Sequence, residues 1–321
     1  MSLGVNTGFG GSADTRTNDV DALQEALVQH QASGVLSGLS DMSTSPDRCG
    51  PSQSTAMPTP WARGLMLSRL NSIIRGHSSV SFPVIDTILG LLEHDMTPII
   101  PVRGSISASG DLIPLSYLAA TIQGNPDIYV RTGKSHNYKI VSSDEALKLA
   151  NLIPIKLGAK EGLGLLNGTA ASASVASLAI HEANQLAVLS QVLTGMGCEA
   201  LRGTAESFHP FIAQVRPHKG QIEAAANILG FLSGSRIAKG HDSQMKFHEP
   251  GLCQDRYALR TASQWIGPQL EDLMLATDQV RTIAWQIASH VVLAFSARSR
   301  LCDLGEILYL LQPLASTVWK P

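Results

Sequence analysis

The sequence predicts a mainly α fold. Aromatic residues make up 5% of the 321 positions, while small and aliphatic residues are abundant, a palette that suits closely packed helices better than sheets of β-branched strands. No segment sustains an apolar alternation of period two, and no repeat of fixed length is present. The run from Thr169 to Leu201 is rich in small residues and carries Val175, Leu178, Leu186, Leu189 and Leu193 at helical spacing, so it reads as one long helix whose Ala and Ser positions admit close neighbours.

The other elements follow from the same periodicity. Asp19 to Ser33 places Val20, Leu23, Leu27 and Val28 on one face and stops at Gly34, a residue suited to the position after a helix. Residues 40–60 are rich in Ser, Pro and Thr without apolar period and read as a flexible insertion. Helical pattern resumes over Trp61–Arg75 and Val84–Leu92, and again from about Pro217 through Gln221 to Leu232. Residues 1–276 are expected to form one helical domain, with 277–321 a divergent tail that could form a helix pair.

Bulk properties exclude several function classes. A formal net charge of −2 lacks the basic excess of a nucleic-acid or anionic-membrane binder. No apolar run is expected to reach the roughly 18 residues of a spanning helix, and the start MSLGVNTGFGG has no signal-peptide pattern. Cys49, Cys198, Cys253 and Cys302 are widely separated, which fits reduced thiols rather than a disulfide framework or a zinc site. A soluble cytoplasmic protein with no metal or nucleotide is expected.

The stretch Arg103-Gly104-Ser105-Ile106-Ser107-Ala108-Ser109-Gly110-Asp111-Leu112-Ile113-Pro114-Leu115-Ser116 is the chemically unusual one. Its small residues read first as a tight turn feeding a helix, with Ser109 or Asp111 as the N-cap. It also resembles the signature of the aromatic amino acid ammonia-lyases, the family of histidine and phenylalanine ammonia-lyases. Companion blocks appear in the family's order: Gly4 to Gly11 resembles its inner active-site loop, Glu161 to Thr169 its EGLxLLNGT segment, and Gln254 to Thr261 its QDRYxLRT segment. GFGGSADTRT and SFHPF make the fungal phenylalanine ammonia-lyases the most similar group. The implied architecture is the long-helix bundle of the fumarase/aspartase-like type, here incomplete, with the tripeptide loop at helix N-termini.

That resemblance implies a built-in electrophile. Ala108-Ser109-Gly110 would cyclise and lose two waters to give 4-methylidene-imidazol-5-one (MIO), the Gly110 nitrogen attacking the Ala108 carbonyl and Ser109 supplying the methylidene. Glycine lets the backbone fold onto the preceding carbonyl, and Asp111 would assist. By resemblance Asn167 contacts the ring and substrate, Arg260 captures the substrate carboxylate with a planar fork, and Tyr257 and Gln254 line the site. His30 and Gln31 correspond to the pair facing the substrate ring; read without the resemblance, His30 is equally a polar residue on an amphipathic helix. Asn167 alone reads as a helix N-cap, and Arg69, Asn71 and His77 read as structural. The implied reaction eliminates ammonia from L-phenylalanine, or L-tyrosine, to give trans-cinnamate or p-coumarate.

Two departures bear on activity. The family's catalytic base, a tyrosine just before the inner loop, is Leu3 here, and general-base catalysis contributes roughly a hundred- to ten-thousandfold. After Met274 the chain does not continue into the family's Asn-Ser-Thr-Thr-Asp-Asn-Pro segment, nor into the half through which the family forms tetramers and completes sites from three subunits. A truncated chain that does not complete the tetramer is therefore expected. Three alternatives stay open: an impaired fragment or pseudoenzyme, an MIO aminomutase, or a repurposed lyase-derived enzyme.

Overall fold

A computed structural model describes residues 4–35, 55–134, 137–239 and 254–296, with side chains in the last segment described as far as residue 283. Leu3, most of the 40–60 insertion and residues 297–321 lie outside the described residues. The chain divides into two compact units, Met1–Leu178 with Thr282–Pro321, and Ala179–Arg281.

In chain order the first elements are α1 (Val20–Gln31), α2 (Thr59–Ile74), α3 (Phe82–Glu93), β1 (Met96–Pro98) and α4 (Ile113–Ile122). They are followed by β2 (Tyr129–Thr132), β3 (Lys139–Ser142), α5 (Ser143–Leu149) and α6 (Glu161–Leu166). Then come α7 (Ala170–Ala200), α8 (Pro210–Val215), α9 (Lys219–Phe231), α10 (Tyr257–Arg260) and α11 (Ala262–Ser296). The long helix predicted over Thr169–Leu201 is α7, and α1, α2, α3 and α9 match their predicted spans to within two residues at most ends. Helix α11 runs unbroken past residue 277.

Local chemistry explains the ends. Asp19 caps α1 by accepting the Ala22 amide at 3.0 Å. Pro60, Pro83, Pro114 and Pro210 sit in the first turns of α2, α3, α4 and α8, where the missing N–H costs nothing.

The first unit is built on α2, α3 and α4, which bury Leu65, Met66, Leu70, Ile88, Leu91, Leu115 and Leu118 in one core. Each fully buried Leu or Ile is worth about 1.5–3 kcal/mol relative to exposure. Where α7 begins it meets α2 almost backbone to backbone. A Cβ on Gly64 would fall 2.2 Å from the Ser174 hydroxyl, which itself donates to the Trp61 carbonyl at 2.8 Å. The second unit has its own core, in which Cys198, Phe208, Ala224, Ile228, Ile266 and Leu270 pack together. Here α9 and α11 touch through glycine: a Cβ on Gly220 would lie 2.0 Å from the Gly267 carbonyl oxygen.

Two expectations are corrected. A three-stranded antiparallel sheet, ordered β1-β2-β3 with Thr97 opposite Arg131 and Arg131 opposite Ile140, is present although no alternation announces it. Strands of three or four residues are too short to show a period, and Met96–Pro98 is buried throughout. The region Glu161–Ala200 also contains a helix long and apolar enough to cross a membrane by length and composition alone. Alanines carry its apolar character, and the break-up by His181, Glu182, Asn184 and Gln185 hides it from a search for bulky runs.

Candidate functional site

The chain approaches the Ala108–Gly110 tripeptide along an extended, clasped segment. The Met57 amide donates to Ile100 at 2.7 Å, Val102 donates to Thr55 at 2.9 Å, and the Val35 amide donates to the Arg103 carbonyl at 3.0 Å. Gly104 then turns with φ +110°, and Ser107 takes a left-handed φ of +54°, a costly conformation for a residue with a side chain. Ala108, Ser109 and Gly110 are exposed and form a turn, closed by the Asp111 amide donating to the Ala108 carbonyl at 3.0 Å.

Asp111 organises this loop. Its Oδ2 accepts from the amides of Ile106 and Ser107 at 2.9 and 3.3 Å and from the Ser105 hydroxyl, while Oδ1 accepts from the Ile113 amide at 3.2 Å. The N-cap of α4 is Leu112, without a side-chain cap. The capping expectation is thus corrected: Asp111 reaches the first-turn amide from one residue upstream, and Ser109 does not cap. A second helix start adjoins the loop, because the Ser107 hydroxyl lies 3.0 Å from that of Ser172 in the first turn of α7. Two helix N-termini with their partial positive charge therefore flank the tripeptide.

Asn167 lies just upstream of α7 but does not cap it. It ends α6 with extended backbone, its amide nitrogen donating to the Leu163 carbonyl at 3.1 Å. Gln24 locks α6 to the inner loop. Completely buried, it donates to the Gly4 carbonyl at 3.1 Å and accepts the Gly162 amide at 3.0 Å. His30 and Gln31 close the last turn of α1, His30 exposed, and the chain leads from there to Val35 beside Arg103. Ala108, Ser109, Gly110, Asn167, His30 and Gln31 thus belong to the first unit.

Gln254, Tyr257 and Arg260 belong to the second unit, where they line one cavity of about 540 Å³ together with Thr204, Glu206 and Gln264. Asp255 anchors their segment by accepting the Thr204 amide at 2.7 Å. The Arg260 guanidinium sits 5.4 Å from the centre of the Tyr257 ring, which leaves the planar fork partly shielded on one face. Cys198 is buried behind this segment, and desolvation, with smaller contributions from Asp255 and Glu199, pushes its thiol up to about 11.

The sequence did not point to Gln24, Glu206, Arg69 or His77 as site residues. Gln24 had a visible signal, a polar residue on the apolar face that Leu23, Leu27 and Val28 define. Arg69 and His77, read as structural, line a second cavity beside Asn167.

Comparison with known proteins bears on the family and the fold. The family model described as aromatic amino acid lyase matches residues 2–286. The phenylalanine ammonia-lyase lenB of Aspergillus lentulus is 57% identical over 279 residues, covering 86% of this chain and 38% of that protein. The phenylalanine aminomutase (L-beta-phenylalanine forming) of Talaromyces islandicus is 51% identical over 277 residues, with the same two shares. A solved phenylalanine ammonia-lyase from the yeast Rhodosporidium toruloides superposes with a TM-score of 0.71 at 49% identity, covering 80% of this chain and 38% of that one. The chain thus spans well under half the length of these relatives, and its fold is that of the ammonia-lyase and aminomutase structures. It belongs to the aromatic amino acid lyase family.

Proposed function

We propose that this chain carries the electrophile-forming part of an ammonia-lyase that eliminates ammonia from L-phenylalanine, with L-tyrosine the alternative substrate, to give trans-cinnamate or p-coumarate. The observation that carries the reading is the Ala108–Gly110 turn, closed by the Asp111 amide and held by four contacts to the Asp111 carboxylate.

The residues present fit an MIO group. The turn folds the chain so that the Ala108 carbonyl and the Gly110 nitrogen, the two partners of the ring closure, lie within one tight loop around Ser109. A Cβ on Gly110 would meet no atom within 4 Å, so packing does not demand glycine there. Freedom of the backbone to fold onto the preceding carbonyl does. When formed, the ring supplies an exocyclic methylidene as electrophile for the substrate amine. The N-termini of α4 and α7 bias the loop toward negative charge. Arg260 holds the substrate carboxylate, with Tyr257 and Gln254 beside it. Asn167 orients groups at the tripeptide, and His30 with Gln31 faces the substrate ring, where the imidazole can bond a phenolic hydroxyl.

Leu3 supplies no base, which favours a second reading in which this chain forms the electrophile but turns over slowly or only beside a longer lyase chain. The Talaromyces relative, 51% identical, keeps the aminomutase form of the same chemistry as an alternative. Intact mass followed by incubation with L-phenylalanine separates these. A deficit of two waters with cinnamate released supports the lyase, and β-phenylalanine marks the aminomutase. A deficit without product marks the impaired form. Full mass in folded protein refutes cyclisation.

A further inference from the structure

The amphipathicity of helix α7 is reversed in the second unit. The face packed within that unit is polar or small. Asn227 donates to the buried Gln191 at 2.9 Å, Asn184 donates to the Thr277 hydroxyl at 3.3 Å, and Cys198 is fully buried. The opposite face carries Leu186, Leu189, Leu193 and Met196, which are between 47 and 63% exposed. At 3.6 residues per turn these four share one line on the side away from Gln191 and Cys198. A surface helix of a monomer does the reverse, with its leucines inward.

The line has the form of a helix-pairing seam. Its residues follow one another at steps of three, four and three, the spacing with which one helix meets another of the same spacing. No charged residue stands between Glu182 and Glu199. Val188 and Phe231, each 49% exposed, widen the seam, and a Cβ on Gly195 would lie 3.4 Å from the Phe231 Cβ, so α9 borders it. These six side chains expose on the order of 500 Å², at the upper end of what a monomer leaves in one patch and, with flanking polar groups, close to the about 800 Å² per partner of a standard interface.

We infer that two copies of this chain pair through this face, α7 against α7, antiparallel about a two-fold axis midway between Leu189 and Leu193. The seam is then its own complement: Leu189 meets Leu193 of the second copy, and Leu186 meets its Met196. Charge selects the direction. Glu182 and Arg202 are exposed at opposite ends of the seam, and neither has an ion pair among the described residues. Antiparallel pairing brings Glu182 of each copy beside Arg202 of the other, whereas parallel pairing would set Glu182 against Glu182. Glu199 lies a quarter-turn off the seam toward Cys198, whose thiol it helps to raise. All these residues belong to the second unit, and the inference does not depend on lyase chemistry.

The test is sedimentation velocity of the full chain over a wide range of concentration, where a monomer–dimer equilibrium is expected. Leu189→Glu combined with Leu193→Glu, at exposed positions where folding is not at stake, should weaken the dimer at least about a hundredfold. Glu182→Arg and Arg202→Glu should each weaken it about tenfold, and the double exchange should restore it. A role confined to stabilising the single chain would show no such restoration. A monomer at every concentration, an assembly that survives the two leucine changes, or a double exchange without recovery would each overturn the assignment. So would a monomer that co-sediments with phosphatidylcholine vesicles, because the face would then meet lipid.

Discussion

The Oδ2 of Asp111 accepts the Ile106 amide at 2.9 Å, across the tripeptide that lies between them in sequence. That single oxygen also takes the Ser107 amide and the Ser105 hydroxyl, so one carboxylate fixes the loop that must fold on itself. Asp111→Ala leaves those donors unpaired and should cost about 1–3 kcal/mol in chemical denaturation. It should also abolish the two-water mass deficit expected of the parent in intact-mass measurement. A deficit retained in Asp111→Ala would show that the clamp is not needed for ring closure.

Gln24 makes the corresponding link between the inner loop and α6. Both of its bonds are buried, so Gln24→Leu strands the Gly4 carbonyl and the Gly162 amide together. Each buried orphan costs about 1–3 kcal/mol, and urea unfolding should register a loss of that order or greater. If turnover is found, it should fall as well, because Asn167 rides on the same short helix. A Gln24→Leu variant as stable as the parent would refute the clamp.

How much of this was legible in the sequence depends on the range of each interaction. Helices α1, α7 and α9 show as apolar periodicity because neighbours three and four residues apart share a face. The sheet does not, since its three strands are too short to show a period and β1 meets β2 only across a long stretch of chain. Periodicity placed Leu186, Leu189 and Leu193 on a helix but not their environment: they are 63%, 47% and 53% exposed. The tripeptide and the QDRY block were legible because their chemistry is written in consecutive residues. The burial of Arg69 against the Ser72 hydroxyl and the Gly164 carbonyl was not, since it is a property of packing that no local pattern carries.

Gly267 carries a stability prediction in the second unit. A Cβ there would lie 2.5 Å from the Gln221 amide nitrogen and 2.9 Å from the Gly220 carbonyl carbon. Backbone atoms cannot swing aside as side chains do, so α9 and α11 would have to separate. Separation also lengthens the bond in which the Gly220 amide donates to Glu271 at 2.9 Å. Gly267→Ala, ordinarily a favourable change inside a helix, should therefore destabilise by about 1–3 kcal/mol in thermal or urea unfolding. A neutral or stabilising result would mean that the two backbones do not meet there.

Cys198 gives the pH dependence. Burial, reinforced by the Asp255 and Glu199 charges, raises its thiol to about 11 from an ordinary value of 9.0. The neutral thiol is the form the fold favours, so its contribution to stability is complete below about pH 9 and is lost as pH rises through about 11. The thiolate is the reactive species, and a two-unit rise leaves about a hundredfold less of it at pH 8. Iodoacetamide labelling of Cys198 at pH 8, followed by peptide mass spectrometry, should accordingly be about a hundredfold slower in folded than in urea-unfolded chain, with lack of access slowing it further. A stability profile from pH 8 to 11 should fall more steeply in the parent than in Cys198→Ala. That difference isolates the thiol from the lysines and tyrosines titrating over the same range. Parallel profiles combined with rapid labelling would show that the thiol is neither buried nor perturbed, and the core around Phe208 and Ile228 would then have to be open at that point.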